Sequence, residues 1–267
     1  MWSGVRNVVL TADIGNSITL LALFDEQGTL VMRSNFSTDR HATMDQYAIQ
    51  LFSIFQLYQV DVRQITGGII ASVVPPVTAA MAGAMERLMG KAPMVVGTGI
   101  RTGLNIRSDM HAQLGADIVA SSVGAIAKYP SPVIVLDMGT AITFSVLRGN
   151  VYEGCVIAPG VRVAMEALSK QAAELPHISL AEPSSILGHN TVDAMRAGAL
   201  YGNASLVDGM IARLEEATQP AAAVVATGSY ADDVVPYCRR EILRDPDLLL
   251  DGLYLLYQKN TESRRRG

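Results

Sequence analysis

Hydrophobic residues along the chain alternate between short continuous runs and longer stretches with helical spacing. The continuous runs, rich in Val, Ile and Leu, predict strands at about residues 6–24, 28–36, 67–74, 94–96, 133–148, 151–157 and 224–229. Apolar residues at every third or fourth position predict helices at about 43–59, 77–90, 112–128, 161–171, 191–216, 231–240 and 248–257. Each half of the chain begins with strands and continues with alternating strands and helices. This order predicts an α/β protein of two similar lobes, 1–129 and 130–267, divided at Pro130-Ser131-Pro132.

One short motif occurs twice in the same context. Asp13-Ile14-Gly15-Asn16-Ser17 and Asp137-Met138-Gly139-Thr140-Ala141 each follow an apolar run and precede another strand-forming run. Such a turn can hold phosphate, because Gly allows close backbone approach and the N–H groups and small polar side chains face anionic oxygens. A single copy would be weak evidence, since Asp-x-Gly is common in ordinary turns. Two copies about half a chain apart predict two duplicated lobes that hold one nucleotide.

The composition is that of a folded protein without a basic face for nucleic acid. Of the 267 residues, 49% are hydrophobic and 17% are charged, and the formal net charge is −4. We therefore expect no nucleic-acid partner. Cys155 and Cys238 are too far apart for a metal-binding motif, and no uncharged run reaches the length of a membrane span. We expect a cytoplasmic protein with no membrane partner.

Asp117 is a further candidate for chemistry, in the motif Gly115-Ala116-Asp117 at the start of a predicted helix. A carboxylate in the first turn of a helix is often there only because the helix dipole stabilises it. It could instead accept the proton of a substrate hydroxyl. Thr191 leaves a similar choice, because its hydroxyl could cap the following helix or contact a ligand. These residues alone do not decide between the structural and the functional interpretation.

The ordered series of motifs resembles the type III pantothenate kinases, bacterial enzymes that phosphorylate pantothenate in the first step of coenzyme A biosynthesis. The resemblance covers nearly the whole chain and keeps the order and spacing of the motifs. It is carried by Asp13–Ser17, Ser72-Val73-Val74-Pro75, Gly115–Asp117, Asp137–Ala141, Ile157–Gly160, Gly188–Thr191, Ala226-Thr227-Gly228, Asp245–Leu248 and Gly252-Leu253. Any one of these motifs is weak, but the series is specific.

The resemblance implies a duplicated actin-like (ribonuclease H-like) ATPase fold of two lobes, with the active site in the cleft between them. It also implies transfer of a phosphoryl group from ATP to pantothenate. The cofactors would be Mg²⁺ and a monovalent cation, K⁺ or NH₄⁺. The partner would be a second copy of the chain, with the substrate site near the homodimer interface.

Carried over position by position, the resemblance assigns roles to individual residues. Asp117 would accept the proton of the pantothenate hydroxyl, and Asp137 would bind the monovalent cation. The residues that would hold the ATP phosphates are Asp13, Ile14, Gly15, Asn16, Ser17, Ile18, Thr19 and Leu20, with Thr140 as a further contact to ATP. The substrate side would be formed by Ser108, Gly115, Ala116, Asp117, Ile118 and Thr191.

The chain departs from the family pattern mainly on the substrate side. The family usually has Arg after Gly-Ala-Asp, where this chain has Ile118, and an aromatic residue that contacts pantothenate where this chain has Ser108. This chain has His111 where the family has Pro in the loop before Gly115, and it has Ser229 where the family has a second Gly after Thr227-Gly228. A lost charge-assisted hydrogen bond typically costs about 1.5–3 kcal/mol. Three hypotheses are therefore open: a pantothenate kinase, a non-catalytic paralogue that binds nucleotide or a partner, and a kinase for another small hydroxylated acceptor.

Overall fold

The computed structural model describes residues 7–106 and 114–266, which fall into two compact units. Among these residues, the first unit consists of 7–104, 114–124 and 248–266, and the second of 105–106 and 125–247. The units thus differ from the sequence division at 129/130, because the C-terminal helix belongs to the first unit.

Both units are built from a β-sheet and covering helices. Within the described residues the strands are β1 (Val8–Ile14), β2 (Ile18–Phe24), β3 (Leu30–Ser37), β4 (Ile65–Ser72), β5 (Met94–Val95), β6 (Asn105–Ile106), β7 (Val133–Met138), β8 (Ala141–Arg148), β9 (Val151–Pro159), β10 (Ala223–Thr227) and β11 (Leu243–Arg244). The helices there are α1 (Met44–Leu57), α2 (Pro75–Met89), α3 (Ala116–Lys128), α4 (Val161–Gln171), α5 (Thr191–Ala217), α6 (Ala231–Val234) and α7 (Leu248–Arg266). None of these described helices combines the length and the apolar character that a membrane crossing requires.

The first sheet has the strand order β3-β2-β1-β4-β5, with β1 antiparallel to β2 and parallel to β4. Helices α1 and α2 contribute to the hydrophobic core on one face. A second apolar cluster joins strand residues to Leu250 and Tyr254 of α7. The ring of Tyr254 stacks on that of Phe24 with 4.8 Å between centroids. Burial of these side chains explains why α7 belongs to the first unit.

The second sheet has the order β11-β10-β7-β8-β9-β6. Its first five strands repeat the order and directions of β5-β4-β1-β2-β3: β7 is antiparallel to β8 and parallel to β10. Strand β6 is an addition at the edge, parallel to β9. Residues of α4, α5 and α6 join the core of this unit. The duplication predicted from the repeated motif is therefore present in the strand topology.

Several elements differ from the expectation at their ends. Pro75 and Pro76, expected to separate strand from helix, are the first two residues of α2, where a missing N–H costs nothing because first-turn donors have no partner in the helix. The helix expected over 231–240 ends at Val234 and continues only as a 3₁₀ turn that contains Pro236. Strand β6 lies between the strand expected at 94–96 and the helix expected at 112–128, where the sequence pattern predicts neither a strand nor a helix.

Helix α7 also packs on α3 through positions that have no side chain. A Cβ atom on Gly124 would lie 2.4 Å from the carbonyl oxygen of Leu248, and one on Gly252 would lie 1.8 Å from that of Ala120. Both distances are far below van der Waals contact, so the two helices approach as closely as they do because these residues are glycines.

The substitution Gly252→Ala is expected to lower the free energy of unfolding by about 1–3 kcal/mol, because the new methyl group must push α3 and α7 apart. Gly209→Ala in α5 is the matched control, since a Cβ atom there meets nothing within 4 Å. On helix propensity alone the control should gain about 0.5–1 kcal/mol. Urea unfolding of both variants measures the difference, and equal effects would contradict the close packing of α3 and α7.

Candidate active site

The first copy of the repeated motif forms the turn between β1 and β2. Asp13 is the penultimate residue of β1 and is partly buried. The N–H of Gly15 donates to the carbonyl oxygen of Ile18 at 3.1 Å, and a Cβ atom on Gly15 would lie only 2.9 Å from that oxygen. Asn16 is exposed and Ser17 partly exposed at the tip of the turn. Polar groups that can reach an anionic ligand are therefore concentrated at residues 15–17.

Besides Asp13, four residues that the resemblance assigns to ATP lie on the strands beside this turn: Ile14, Ile18, Thr19 and Leu20. Ile18 is exposed at the start of β2. The side chain of Ile14 is fully buried. Thr19 is also buried, with its hydroxyl 2.9 Å from that of Thr38. Leu20 packs against the apolar cluster shared with α7. The buried side chains of Ile14 and Thr19 hold the strand ends on either side of the turn, whereas the polar side chains of Asn16 and Ser17 lie at its tip.

The second copy forms the turn between β7 and β8. Asp137 is partly buried in β7, and Thr140 is exposed at the tip of the turn. The N–H of Gly139 donates to the carbonyl oxygen of Ala141 at 3.0 Å. This turn is one residue shorter than the first, because Met138 pairs with Ile142 where Ile14 pairs with Thr19.

Equivalent backbone hydrogen bonds hold the two turns. In each, the carbonyl after the Asp accepts an N–H from the segment that follows the parallel neighbour strand. A later carbonyl of the turn accepts an N–H from the segment after the third strand. In the first unit the N–H of Val73 donates to the carbonyl of Ile14, and the N–H of Thr38 donates to that of Ser17. In the second unit Tyr230 donates to Met138 and Gly160 to Thr140 in the same way, and all four N···O distances are 3.0–3.1 Å. These carbonyl oxygens, which would repel an anion, are thus directed into the protein.

Two glycines of the second unit lie directly against its turn. Gly228, at φ +92°, is so close to Asp137 that a Cβ atom would lie 2.4 Å from the carboxylate Oδ1. A Cβ atom on Gly160 would lie 2.3 Å from the carbonyl oxygen of Thr140. The motifs around these glycines, which are far apart in sequence, therefore meet at the second turn.

The carboxylate of Asp137 is of the ligand type that hard cations prefer, and residue 228 can approach this carboxylate so closely only because it is a glycine. No group of three or more His, Cys, Asp or Glu residues with metal-binding geometry occurs among the residues that the structure describes. A cation at Asp137 would therefore need further oxygen ligands from the backbone, water or a bound phosphate. One carboxylate oxygen ligand from Asp137 fits a cation site that is completed in this way.

Asp117 lies in the first turn of α3, where its Oδ1 accepts the N–H of Ile118 at 2.8 Å. Burial raises the pKa of the Asp117 carboxyl above its ordinary value, and the hydrogen bond from Ile118 opposes that shift. A Cβ atom on Gly115 would lie 2.3 Å from the same Oδ1, and 3.8 Å from the side chain of Val73. Because Val73 is bonded to Ile14, Asp117 lies at the same end of the first sheet as the first turn.

The other residues assigned to the substrate side lie at the starts of two helices or outside the described residues. Ala116 is the first residue of α3, and Thr191 is the exposed first residue of α5. Asn190 occupies the cap position of α5, so the hydroxyl of Thr191 is not needed as the cap. Ser108 and His111 lie outside the described residues.

Arg40, which follows β3, was not predicted as a site residue. Its Nη2 donates to Oδ1 of Asn16 at 2.7 Å. The local sequence Asp39-Arg40-His41 is that of an ordinary exposed loop. Only the pairing of β2 with β3, which sets Ser37 opposite Ile18, brings this loop to the first turn. If the first three strands had been interpreted as a β-meander, the sequence would have predicted that the loop with Arg40 lies beside the first turn.

Comparison with known proteins decides the family. A model of the type III pantothenate kinase family matches residues 9–213. The chain belongs to this family. A type III pantothenate kinase of Bacillus cytotoxicus is 39% identical over 254 residues, which cover 95% of this chain and 97% of that one. One of Exiguobacterium sibiricum is 38% identical over 254 residues, which cover 95% of this chain and all of that one (100%).

The fold of this type III pantothenate kinase family member is also found in solved structures. The activator of the 2-hydroxyisocaproyl-CoA dehydratase from Clostridium difficile, solved with bound ADPNP, gives a TM-score of 0.57 at 12% identity. The match covers 97% of this chain and 98% of that one. The actin-like ATPase fold expected from the motifs is thereby confirmed.

The raised pKa of Asp117 predicts a pH-dependent effect of Asp117→Asn on stability. Because the folded state favours the protonated carboxyl, its contribution to stability is fully present below about pH 4, the ordinary pKa of Asp, and is lost as pH rises through the folded-state pKa. Asn keeps the Oδ1 acceptor without the buried charge. The variant should therefore unfold at a higher temperature than the wild type at pH 7.5. The two should converge near pH 4.

Thermal unfolding between pH 4 and pH 8 measures this difference. Asp61→Asn is the control for loss of a carboxylate, since Asp61 is a partly exposed residue paired with Arg63 and its pKa is lowered, chiefly by hydrogen bonding to Arg63. A lower unfolding temperature for Asp117→Asn at pH 7.5 would contradict the desolvation of Asp117.

Proposed function

We propose that this type III pantothenate kinase transfers the γ-phosphoryl group of ATP to the hydroxyl group of pantothenate, the first step of coenzyme A biosynthesis, with Asp117 as the proton acceptor. Membership of the family supports the reaction. The observation in the structure that supports it best is a partly buried carboxyl of raised pKa at the same end of the sheet as a phosphate-type turn.

In the proposed reaction the hydroxyl oxygen of pantothenate attacks the γ-phosphorus in line with the leaving group. A new O–P bond forms, the bond between the γ-phosphorus and the β,γ-bridging oxygen breaks, and ADP leaves with that oxygen. The hydroxyl proton passes to Asp117 and then to solvent. The raised pKa suits this role, since a carboxyl that is easier to protonate is a stronger base once ionised.

The turns would supply binding and charge stabilisation for ATP. Phosphoryl transfer depends mainly on positioning and on compensation of negative charge, which backbone donors and polar side chains provide. The first turn offers Asn16 and Ser17, and the second offers Thr140. Because two carbonyl groups of each turn are hydrogen-bonded within their own unit, those carbonyl oxygens do not face a bound anion.

Two ions complete the proposal. Asp13 would hold Mg²⁺ together with phosphate oxygens, as is usual for magnesium in kinases. Asp137 would hold K⁺ or NH₄⁺ beside Gly228. When bound, these ions would neutralise charge on the phosphates. The carboxylates themselves would orient the ions at the ends of β1 and β7.

The substitution of Ile118 for the usual Arg leaves one contact in place. Ile118 reaches Asp117 through its backbone N–H, which any residue other than Pro provides. Asp117 thus keeps the hydrogen bond from the N–H of residue 118, whereas the substrate side lacks the positive charge that Arg usually provides there. The apolar side chain supports a second candidate, a kinase for a small hydroxylated acceptor less polar than pantothenate.

The proposed quaternary state follows from the resemblance, and the proposed location follows from the two widely spaced cysteines and the lack of an uncharged run of membrane-span length. We propose a homodimer in the cytoplasm, with Thr191 as a contact to pantothenate. The exposed position of Thr191 at the start of α5 leaves its side chain accessible for such a contact.

The wild-type protein is expected to form phosphopantothenate from ATP and pantothenate in the presence of Mg²⁺ and K⁺. Asp117→Asn should lower kcat by about 100-fold or more, because it removes the proton acceptor while keeping the shape of the side chain. Mass spectrometry of the product and release of ADP measure the rate. Asp61→Asn is the control and should keep wild-type activity.

Wild-type kcat in Asp117→Asn would contradict the assigned role. A panel of other hydroxylated acids in the same assay tests the second candidate. Faster turnover of one of them than of pantothenate would favour that candidate.

Asp137→Asn is expected to abolish the activation by K⁺ or NH₄⁺ while the protein remains folded, because Asn fits the same space beside Gly228 without the negative charge. Titration of activity with KCl at constant ionic strength, with choline chloride as the balancing salt, measures this dependence. Unchanged activation by K⁺ in the variant would exclude Asp137 as the ligand.

A further inference from the structure

The segment that carries Arg40 is fixed against the first turn by contacts on its N-terminal side. The N–H of Thr38 donates to the carbonyl oxygen of Ser17 at 3.0 Å. The hydroxyl of Thr38 lies 2.9 Å from that of Thr19, which is fully buried in β2. The chain therefore leaves β3 in contact with the turn.

Contacts of Asp39, the residue just before Arg40, fix the same segment to the core. The carbonyl oxygen of Asp39 accepts the hydroxyl of Tyr47 at 2.6 Å, and Tyr47 is fully buried in α1. The carboxylate of Asp39 accepts the N–H of His41 at 2.9 Å. The backbone leading into Arg40 is thus held at Thr38 and Asp39, and the turn around Arg40 is closed by the bond from His41 to Asp39, although the side chain of Arg40 is exposed.

The contact of Arg40 also sets the orientation of the Asn16 amide. Since Oδ1 of Asn16 accepts the guanidinium N–H, the amino group of Asn16 is directed to the opposite side of the amide. The guanidinium keeps further N–H donors, and it forms no ion pair with a carboxylate among the described residues. Two sets of donors and one positive charge are therefore present at an exposed turn.

We propose that Arg40 is a nucleotide-binding residue whose guanidinium contacts a terminal phosphate of ATP while it holds the amino group of Asn16 available to the same ligand. The proposal rests on the proposed function of the first turn as a phosphate-binding element. A guanidinium matches the geometry of phosphate oxygens, and no carboxylate of the described residues competes for it by an ion pair.

Binding of nucleotides to Arg40→Gln and Arg40→Lys tests the proposal. Arg40→Gln should weaken binding of a non-hydrolysable ATP analogue by about 10- to 100-fold and leave binding of AMP within about twofold of the wild type. Arg40→Lys should recover part of the loss, because it restores the charge but not the planar donor group. Isothermal titration calorimetry measures each affinity.

Arg63→Gln is the matched control. Arg63 is also exposed and lies just before β4, at the opposite end of the first sheet from the turn, where it pairs with Asp61. The control should bind the ATP analogue like the wild type. Asn16→Ala combined with Arg40→Gln should lose less affinity than the sum of the single variants, since the two residues act through one contact.

Three results would overturn the proposal. The first is wild-type affinity of Arg40→Gln for the ATP analogue. The second is an equal loss for AMP, which would indicate a general disturbance of the turn. The third is weaker binding of pantothenate with unchanged nucleotide binding, which would place Arg40 on the acceptor side.

The wild-type protein separates this proposal from the proposed function. If it binds the ATP analogue but does not phosphorylate pantothenate, the reaction assignment fails while the binding test of Arg40 still decides. If it does not bind the ATP analogue at all, both fail.

Discussion

The arrangement of the candidate site depends on backbone hydrogen bonds that direct turn carbonyl groups into the protein. Ile14 and Ser17 in the first unit accept from Val73 and Thr38, which belong to the segments after neighbouring strands. The equivalent bonds recur in the second unit. An anion cannot bind against exposed carbonyl oxygens, so a turn becomes a phosphate site only if those oxygens have partners elsewhere. The sheet order supplies the partners, and this couples the fold to the site.

The repeated motif and the order of strands were predictable because they follow from local pattern. Each copy lies between two strand-forming runs, and a buried strand that turns at Asp-x-Gly into another strand gives the same hairpin in either unit. The position of α7 was not predictable in this way. Its packing on the first sheet depends on contacts of Leu250 and Tyr254 with residues more than two hundred positions earlier, which periodicity does not reveal.

The same distinction between local pattern and long-range contacts applies to the site residues. Asp117 was visible in the sequence, but the proposal of a catalytic role for it, and not only a helix-dipole role, rests on its burial and on the closeness of Gly115 to its carboxylate. Arg40 was not visible, because its importance comes from the pairing of β3 with β2 and from a contact with Asn16 across that pair.

A crystal structure with pantothenate, Mg²⁺ and a non-hydrolysable ATP analogue would test the assignment of Asp117 most directly. We expect a carboxylate oxygen of Asp117 within about 2.6–3.2 Å of the pantothenate hydroxyl, with that hydroxyl facing the γ-phosphate. A pantothenate hydroxyl bound to other groups, with Asp117 in contact with neither substrate, would contradict the assignment.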